Sequence, residues 1–259
     1  MAGQIVSIFT NKGGVGKTTT TLSLSDRLAM EGVKTLLIDC DAQCNATSTM
    51  TGKKPNNNLT DIFSGTKTAD ECTHAIRENL YCIPNIEQLS EIEPLIISKG
   101  HDGLMHMRNN LSDYCRNNFD ITIIDCPPNF GIFVINALFC SDLAIIPTEA
   151  GSKNSIEGLF AAEKFIKEIN EMRNTDLQLF KILTTKLDGR TNIGRDYLEK
   201  VNAKFPDHVF KTYIRACVDF QYAENMNKTI FQTAPKSSGA KSYTEAAKEI
   251  IELLELRKC

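Results

Sequence analysis

The chain has 259 residues, 42% of them hydrophobic, and a formal net charge of −3. That length and composition supply one large α/β core or two small ones, and no apolar run reaches the length of a bilayer span. No Pro-, Gly- or Ser-rich linker divides the chain, so a single domain over residues 1–259 is expected.

Met1-Ala-Gly leads straight into an apolar run, Gln4-Ile-Val-Ser-Ile-Phe-Thr10, with no charged leader ahead of it. A soluble, intracellular chain is therefore expected. The run reads as a strand that ends in a Gly-rich turn. Thr18 to Glu31 has helical periodicity through Leu22, Leu24, Leu28 and Ala29, and Gly32 closes it. Lys34-Thr-Leu-Leu-Ile-Asp39 is a second apolar run with an Asp at its end. Leu80 to Pro84 predicts a strand and Leu104 to Asn118 a helix. Ile121-Thr-Ile-Ile-Asp125, Leu143-Ala-Ile-Ile-Pro147 and Leu179-Phe-Lys-Ile-Leu-Thr184 are three further strand-like runs. Helical stretches lie between them, at Phe133 to Cys140 and Ser155 to Asn170. Continuous apolar strands alternating with helices predict an α/β fold, a mainly parallel twisted sheet covered by helices on both faces. Ligands of such sheets bind beyond the carboxyl ends of the strands. No internal repeat interrupts the pattern.

The nine cysteines contain no Cys-x-x-Cys pair, and the four histidines show no ligand spacing. Reduced, mostly buried thiols are expected rather than disulfides or a metal centre. Charge is uneven: Lys181 to Lys241 holds 11 Lys and Arg against 6 Asp and Glu. Such an excess hints at a polyanion partner.

The strongest chemical signal is Lys12-Gly-Gly-Val-Gly-Lys-Thr-Thr19, placed between the first strand and the first helix. Gly13, Gly14 and Gly16 let the backbone curl so that successive N–H groups face one concavity. The helix N-terminus adds positive potential there. Lys17 can reach the β- and γ-phosphate oxygens of a nucleotide, and the Thr18 hydroxyl suits Mg²⁺. Thr19 is placed for the α-phosphate region. Asn11 stands where the usual loop has glycine, and Lys12 adds a second lysine.

This loop resembles the deviant Walker A loop of ParA/MinD-type P-loop ATPases. The resemblance implies ATP/ADP and Mg²⁺ as ligands, with Asn11, Lys12, Gly13, Gly14, Val15, Gly16, Lys17, Thr18 and Thr19 around the phosphates. It assigns Lys12 a catalytic role beside Lys17, reaching across an ATP-dependent homodimer to the partner's phosphates. Asp39-Cys-Asp41-Ala-Gln-Cys-Asn45 resembles the family's DxDxQxN segment. Alternation along an extended chain predicts that Asp39 and Asp41 point the same way. The resemblance gives Asp41 the attacking water and Asp39 the Mg²⁺ water shell. Family members commonly have Pro and Gly where this chain has Ala42 and Cys44. Ile121 to Asp125 followed by Cys-Pro-Pro128 fits the Walker B pattern, an apolar strand ending in a carboxylate that binds Mg²⁺ through water. Asn129-Phe-Gly131 and Asn136-Ala-Leu138 match the family too.

The later segments, Leu187-Asp-Gly-Arg-Thr-Asn192, Tyr213-Ile-Arg215 and Ala234 to Tyr243, are similar to those of short, chromosomal-type ParA proteins. The resemblance puts Tyr213 and Arg215 near adenine. It implies a cytoplasmic, nucleoid-associated ATP hydrolase that binds DNA without sequence preference. A ParB-like or cargo-adaptor protein stimulates hydrolysis and so positions a plasmid, a chromosome or other cargo. Candidates for DNA phosphate contacts are Lys186, Arg190, Arg195, Arg215 and Lys236. Asp219 falls where many DNA-binding relatives have a second arginine.

Three other readings stay open on the same loop. A membrane-associated, MinD-like regulator needs a basic amphipathic tail. Ser242 to Lys258 instead predicts a helix with Ala246, Ile250, Leu253 and Leu254 on one stripe and Glu245, Glu249, Glu252 and Glu255 opposite. An iron–sulfur carrier ATPase needs paired cysteines. An ATP-dependent small-molecule ligase is opposed only by Lys12. No N-terminal helix-turn-helix extension of the larger ParA type is expected.

Overall fold

The computed structural model describes residues 2–52, 55–151, 154–173 and 177–256. Its strands are β1 (Gln4–Ile8), β2 (Thr35–Asp39), β3 (His74–Arg77), β4 (Leu80–Ile83), β5 (Ile121–Asp125), β6 (Leu143–Glu149) and β7 (Gln178–Thr185). They form one seven-stranded sheet in the order β3-β4-β2-β5-β1-β6-β7. Every pairing is parallel except β3 with β4 at the edge. All six predicted strands are present. β3 was not predicted, because His-Ala-Ile-Arg is half-exposed and carries no apolar run.

The helices are α1 (Lys17–Met30), α2 (Asn45–Thr51), α3 (Leu59–Ser64), α4 (Glu93–Ser98), α5 (His101–Leu104) and α6 (His106–Asn118). They continue with α7 (Ile132–Cys140), α8 (Ser155–Arg173), α9 (Asn192–Lys204), α10 (Asp219–Asn225), α11 (Ile230–Thr233) and α12 (Ser238–Leu253). Alternation in the strands feeds two cores. Ile121 and Ile123 of β5 join Val6, Leu24, Leu28, Tyr243, Ala246 and Ile250 on the α1/α12 face. Ile124 joins Met107, Leu111, Val134, Leu138, Leu159 and Ile166 on the α6/α7/α8 face.

The end of α1 follows from its sequence. Gly32 has φ +84°, its N–H reaches Ala29 O, and the Val33 N–H reaches Leu28 O. This is the double bond of a glycine-terminated helix, and it turns the chain into β2. The last helix starts four residues earlier than predicted, because the Ser237 hydroxyl accepts from Ala240 N–H and caps it. Its apolar stripe is Tyr243, Ala246, Ala247 and Ile250, packed on α1. Leu253 falls off that stripe and is 46% exposed. The predicted tail from 257 to 259 lies outside the described residues. Among the described residues no helix is long and apolar enough to cross a membrane.

Parallel pairing sets the register that matters for chemistry. Asp39 and Asp125 are direct neighbours at the carboxyl ends of β2 and β5, and both are completely buried.

Candidate functional site

Lys12 to Gly16 joins β1 to α1. Gly14 (φ +76°) and Gly16 (φ +89°) hold left-handed conformations that a side chain would strain. A Cβ added at Gly13, Gly14 or Gly16 would meet nothing within 4 Å, so these backbones face open space. Lys17, the first residue of α1, is buried, and its Nζ donates to Lys12 O at 2.9 Å. Burial lowers its pKa, while the charges of Asp125, Cys126 and Asp41 act to raise it.

Four residues along α1, Thr21 shares the face of Lys17. Its hydroxyl donates to Asp125 Oδ1 at 2.9 Å. The other oxygen, Asp125 Oδ2, is buried and has no hydrogen-bond partner. Burial and the neighbouring Asp39 charge push the Asp125 carboxyl up to about 8, against the hydrogen bond from Thr21. Such an orphaned oxygen is what a hydrated cation would satisfy. Asp125 and Thr18 therefore fit the Mg²⁺ site predicted for them.

Asp39 and Asp41 do not share one environment. β2 ends at Asp39, and Asp41 lies two residues beyond it, half-exposed where Asp39 is buried. Asp39 Oδ2 accepts from Thr47 N (2.8 Å) and Thr47 Oγ1 (2.7 Å), and Oδ1 accepts from Asp41 N (3.1 Å). Its carboxylate is engaged by α2, and burial raises its pKa to about 6. Asp41 is half-exposed; its Oδ1 accepts from Gln43 N at 3.0 Å. Buried Asn85 braces this turn, donating to Asp41 O and Thr47 Oγ1. Cys44, where relatives commonly have Gly, sits at φ +54°. That conformation costs a non-glycine residue about 1–2 kcal/mol.

The family model described as "AAA domain" matches residues 3–179. The chain is 36% identical over 255 residues to the sporulation initiation inhibitor protein Soj of Bacillus subtilis, covering 96% of this chain and 98% of that protein. It belongs to the Soj-type ParA/MinD family. Two solved structures share the fold at lower identity. The ATP complex of a single-residue variant of Cyanothece McdA has a TM-score of 0.86 at 19% identity, covering 100% of this chain and 98% of that one. Cobyrinic acid a,c-diamide synthase of Mycobacterium smegmatis, bound to an ATP analog and magnesium, has a TM-score of 0.84 at 24% identity, covering 99% and 98%.

In this Soj-type chain the end of β7 meets the phosphate loop through Thr185 and Lys186. Leu187 bridges Arg215 in parallel, which brings the Tyr213–Arg215 segment beside the end of β7. A Cβ on Gly189 would lie 3.0 Å from the Tyr213 hydroxyl. The five predicted DNA residues are all exposed, and three of them have partners within this chain. Arg190 forks onto Asp188, with Nε–Oδ1 and Nη2–Oδ2 both 2.9 Å, and holds the Asp188 carboxyl down at about 2. Arg195 donates to Asn192 Oδ1 at 2.7 Å. Lys186 Nζ lies 2.7 Å from Gly14 O on the exposed side of the loop. Arg215 and Lys236 are exposed, and Asp219 accepts from the Cys217 thiol.

Sequence reasoning missed Thr21, Thr47, Asn85 and Thr185. Only Thr21 had a signal, its i+4 spacing from Lys17. Thr47 reaches Asp39 from α2, eight residues on, and Asn85, just past β4, and Thr185, at the end of β7, meet the site from far away in sequence. Thr20 also bonds the buried Tyr243 hydroxyl at 2.8 Å, tying α12 to the start of α1. All eight described cysteines are free, and only Cys217 is not buried. Cys259 lies outside the described residues.

Proposed function

We propose that this partition-family protein hydrolyses ATP with Mg²⁺ and works as a switch. ATP binding joins two copies face to face, the joined surface holds DNA without sequence preference, and a partner protein stimulates hydrolysis to release it. The observation that carries the nucleotide reading is the open glycine cradle next to a buried lysine and an unpartnered carboxylate oxygen.

In this reading Lys17 leaves Lys12 O for the phosphate oxygens, a charge-for-carbonyl exchange that strengthens its bond. Thr18 and Asp125 would hold Mg²⁺, which supplies charge neutralisation for the phosphates. Asp41, half-exposed beyond β2, is placed to orient a water. Asp39 acts through Thr47 and the Asp41 N–H, fixing the turn that carries Asp41. Lys12 sits at the outer start of the loop, the position from which it would meet a second copy's phosphates. The MinD-like membrane reading is weaker: Glu245, Glu249 and Glu252 line α12 away from its apolar stripe.

A nucleotide titration tests this. The unmodified chain binds ATP with Mg²⁺, and Lys17→Ala lowers affinity by about a hundredfold, the loss of two charge-assisted contacts. Undiminished affinity in Lys17→Ala would contradict the loop's role.

A further inference from the structure

Lys186 is the first residue after β7. It adopts φ +51°, a conformation uncommon for a side-chain-bearing residue outside a functional site. Its Nζ donates to Gly14 O at 2.7 Å and pairs with Glu149 Oε1 at 3.6 Å. The preceding Thr185 hydroxyl donates to Val15 O at 2.8 Å. Two consecutive carbonyls of the phosphate loop are thus held from outside by two consecutive residues of β7's end.

The consequence is geometric. No peptide bond here is cis. In a trans peptide the C=O and N–H point in opposite directions. Holding Gly14 O and Val15 O outward therefore aims the Val15 and Gly16 N–H groups into the concavity. A cation on a carbonyl also polarises its peptide, so the Val15 N–H becomes a stronger donor. A phosphate oxygen is the acceptor these two donors match.

We propose that Lys186 is a positioning residue for the phosphate loop: by latching Gly14 O it presents the Val15 N–H to the nucleotide's phosphates. This rests on the nucleotide reading above. Lys186 does not touch the reacting atoms, so it acts on binding rather than on the chemical step. Its exposed stem and half-exposed ion pair with Glu149 leave the fold independent of it.

The test uses ATP with Mg²⁺ on the full chain, with Lys186→Met, Lys186→Arg and the unmodified protein compared. The dissociation constant and KM of Lys186→Met rise about tenfold, the loss of one charge-assisted contact. Its kcat stays within about twofold. Lys186→Arg keeps a donor near Gly14 O and stays within about threefold of the unmodified chain. A Met variant that binds ATP as tightly as an unmodified chain that does bind overturns this proposal alone. A Met variant that loses kcat with its dissociation constant unchanged overturns it too. An unmodified chain that binds no ATP sinks the nucleotide reading, and the latch with it.

Discussion

Asp125→Asn separates what this site does for nucleotide from what it does to stability. The wild-type carboxyl has no partner for Oδ2 and titrates at about 8 in the fold, against an ordinary 3.8. Its folded-state pKa is raised, so the fold loses stability as pH climbs from about 4 to about 8. At about 1.4 kcal/mol per tenfold change in proton affinity, that direction is worth a few kcal/mol at neutral pH, shared between Asp125 and the neighbouring Asp39. Relaxation of the buried pair with Asp39 reduces that figure. Asparagine keeps the acceptor for Thr21 but leaves an unpartnered N–H in place of Oδ2, which costs about 1–2 kcal/mol. The net expectation is that Asp125→Asn gains about 2 kcal/mol at pH 8, or roughly 4–8 °C in unfolding midpoint. The assay is thermal unfolding by circular dichroism with EDTA present, at pH 5 and pH 8. The gain shrinks at pH 5, where the wild-type carboxyl is already protonated in the fold. Adding Mg²⁺ and ATP then reverses the order, because only the wild type keeps the carboxylate for the cation. A variant midpoint below wild type at pH 8 without metal would refute the reasoning.

Other perturbations test separate parts of the account. Asp26 is buried on α1 and bonds Arg77 of β3 and Thr229 before α11, with Arg77 Nε at 3.0 Å. Asp26→Ala strands that guanidinium and hydroxyl; a loss of about 3 kcal/mol in denaturant unfolding is expected, with ATP affinity retained. Arg190→Glu with Arg195→Glu removes two candidate DNA contacts. DNA affinity falls, and the log–log salt slope shrinks by up to about two in a filter-binding titration. An unchanged gel shift at low salt would remove these two from the DNA face.

The phosphate loop was readable because glycine, lysine and threonine carry their conformations and chemistry locally. The strands β1, β2, β5, β6 and β7 were readable for a similar reason: buried parallel strands are continuous apolar runs. β3 was not, since an edge strand needs no such run. Asp125 was found from the strand that ends in it, but the upward push on its carboxyl depends partly on Asp39 arriving alongside through β2–β5 pairing. Asp41 was found by likeness and by alternation from Asp39, but its half-exposure beside a buried Asp39 was not legible, because β2 ends at Asp39. Lys186 reads as one more surface cation until β7 is laid beside the loop. Its contact with Gly14 spans 172 residues, which no local pattern can report.

The central claim is an ATP-driven pairing of two copies. It is tested by light scattering on Asp41→Ala, which keeps the phosphate-binding groups and removes the residue assigned to the attacking water. One copy has a mass of 28.8 kDa. The account predicts that Mg²⁺ and ATP double the measured mass and that ADP does not. A mass that stays at one copy with saturating ATP would contradict it.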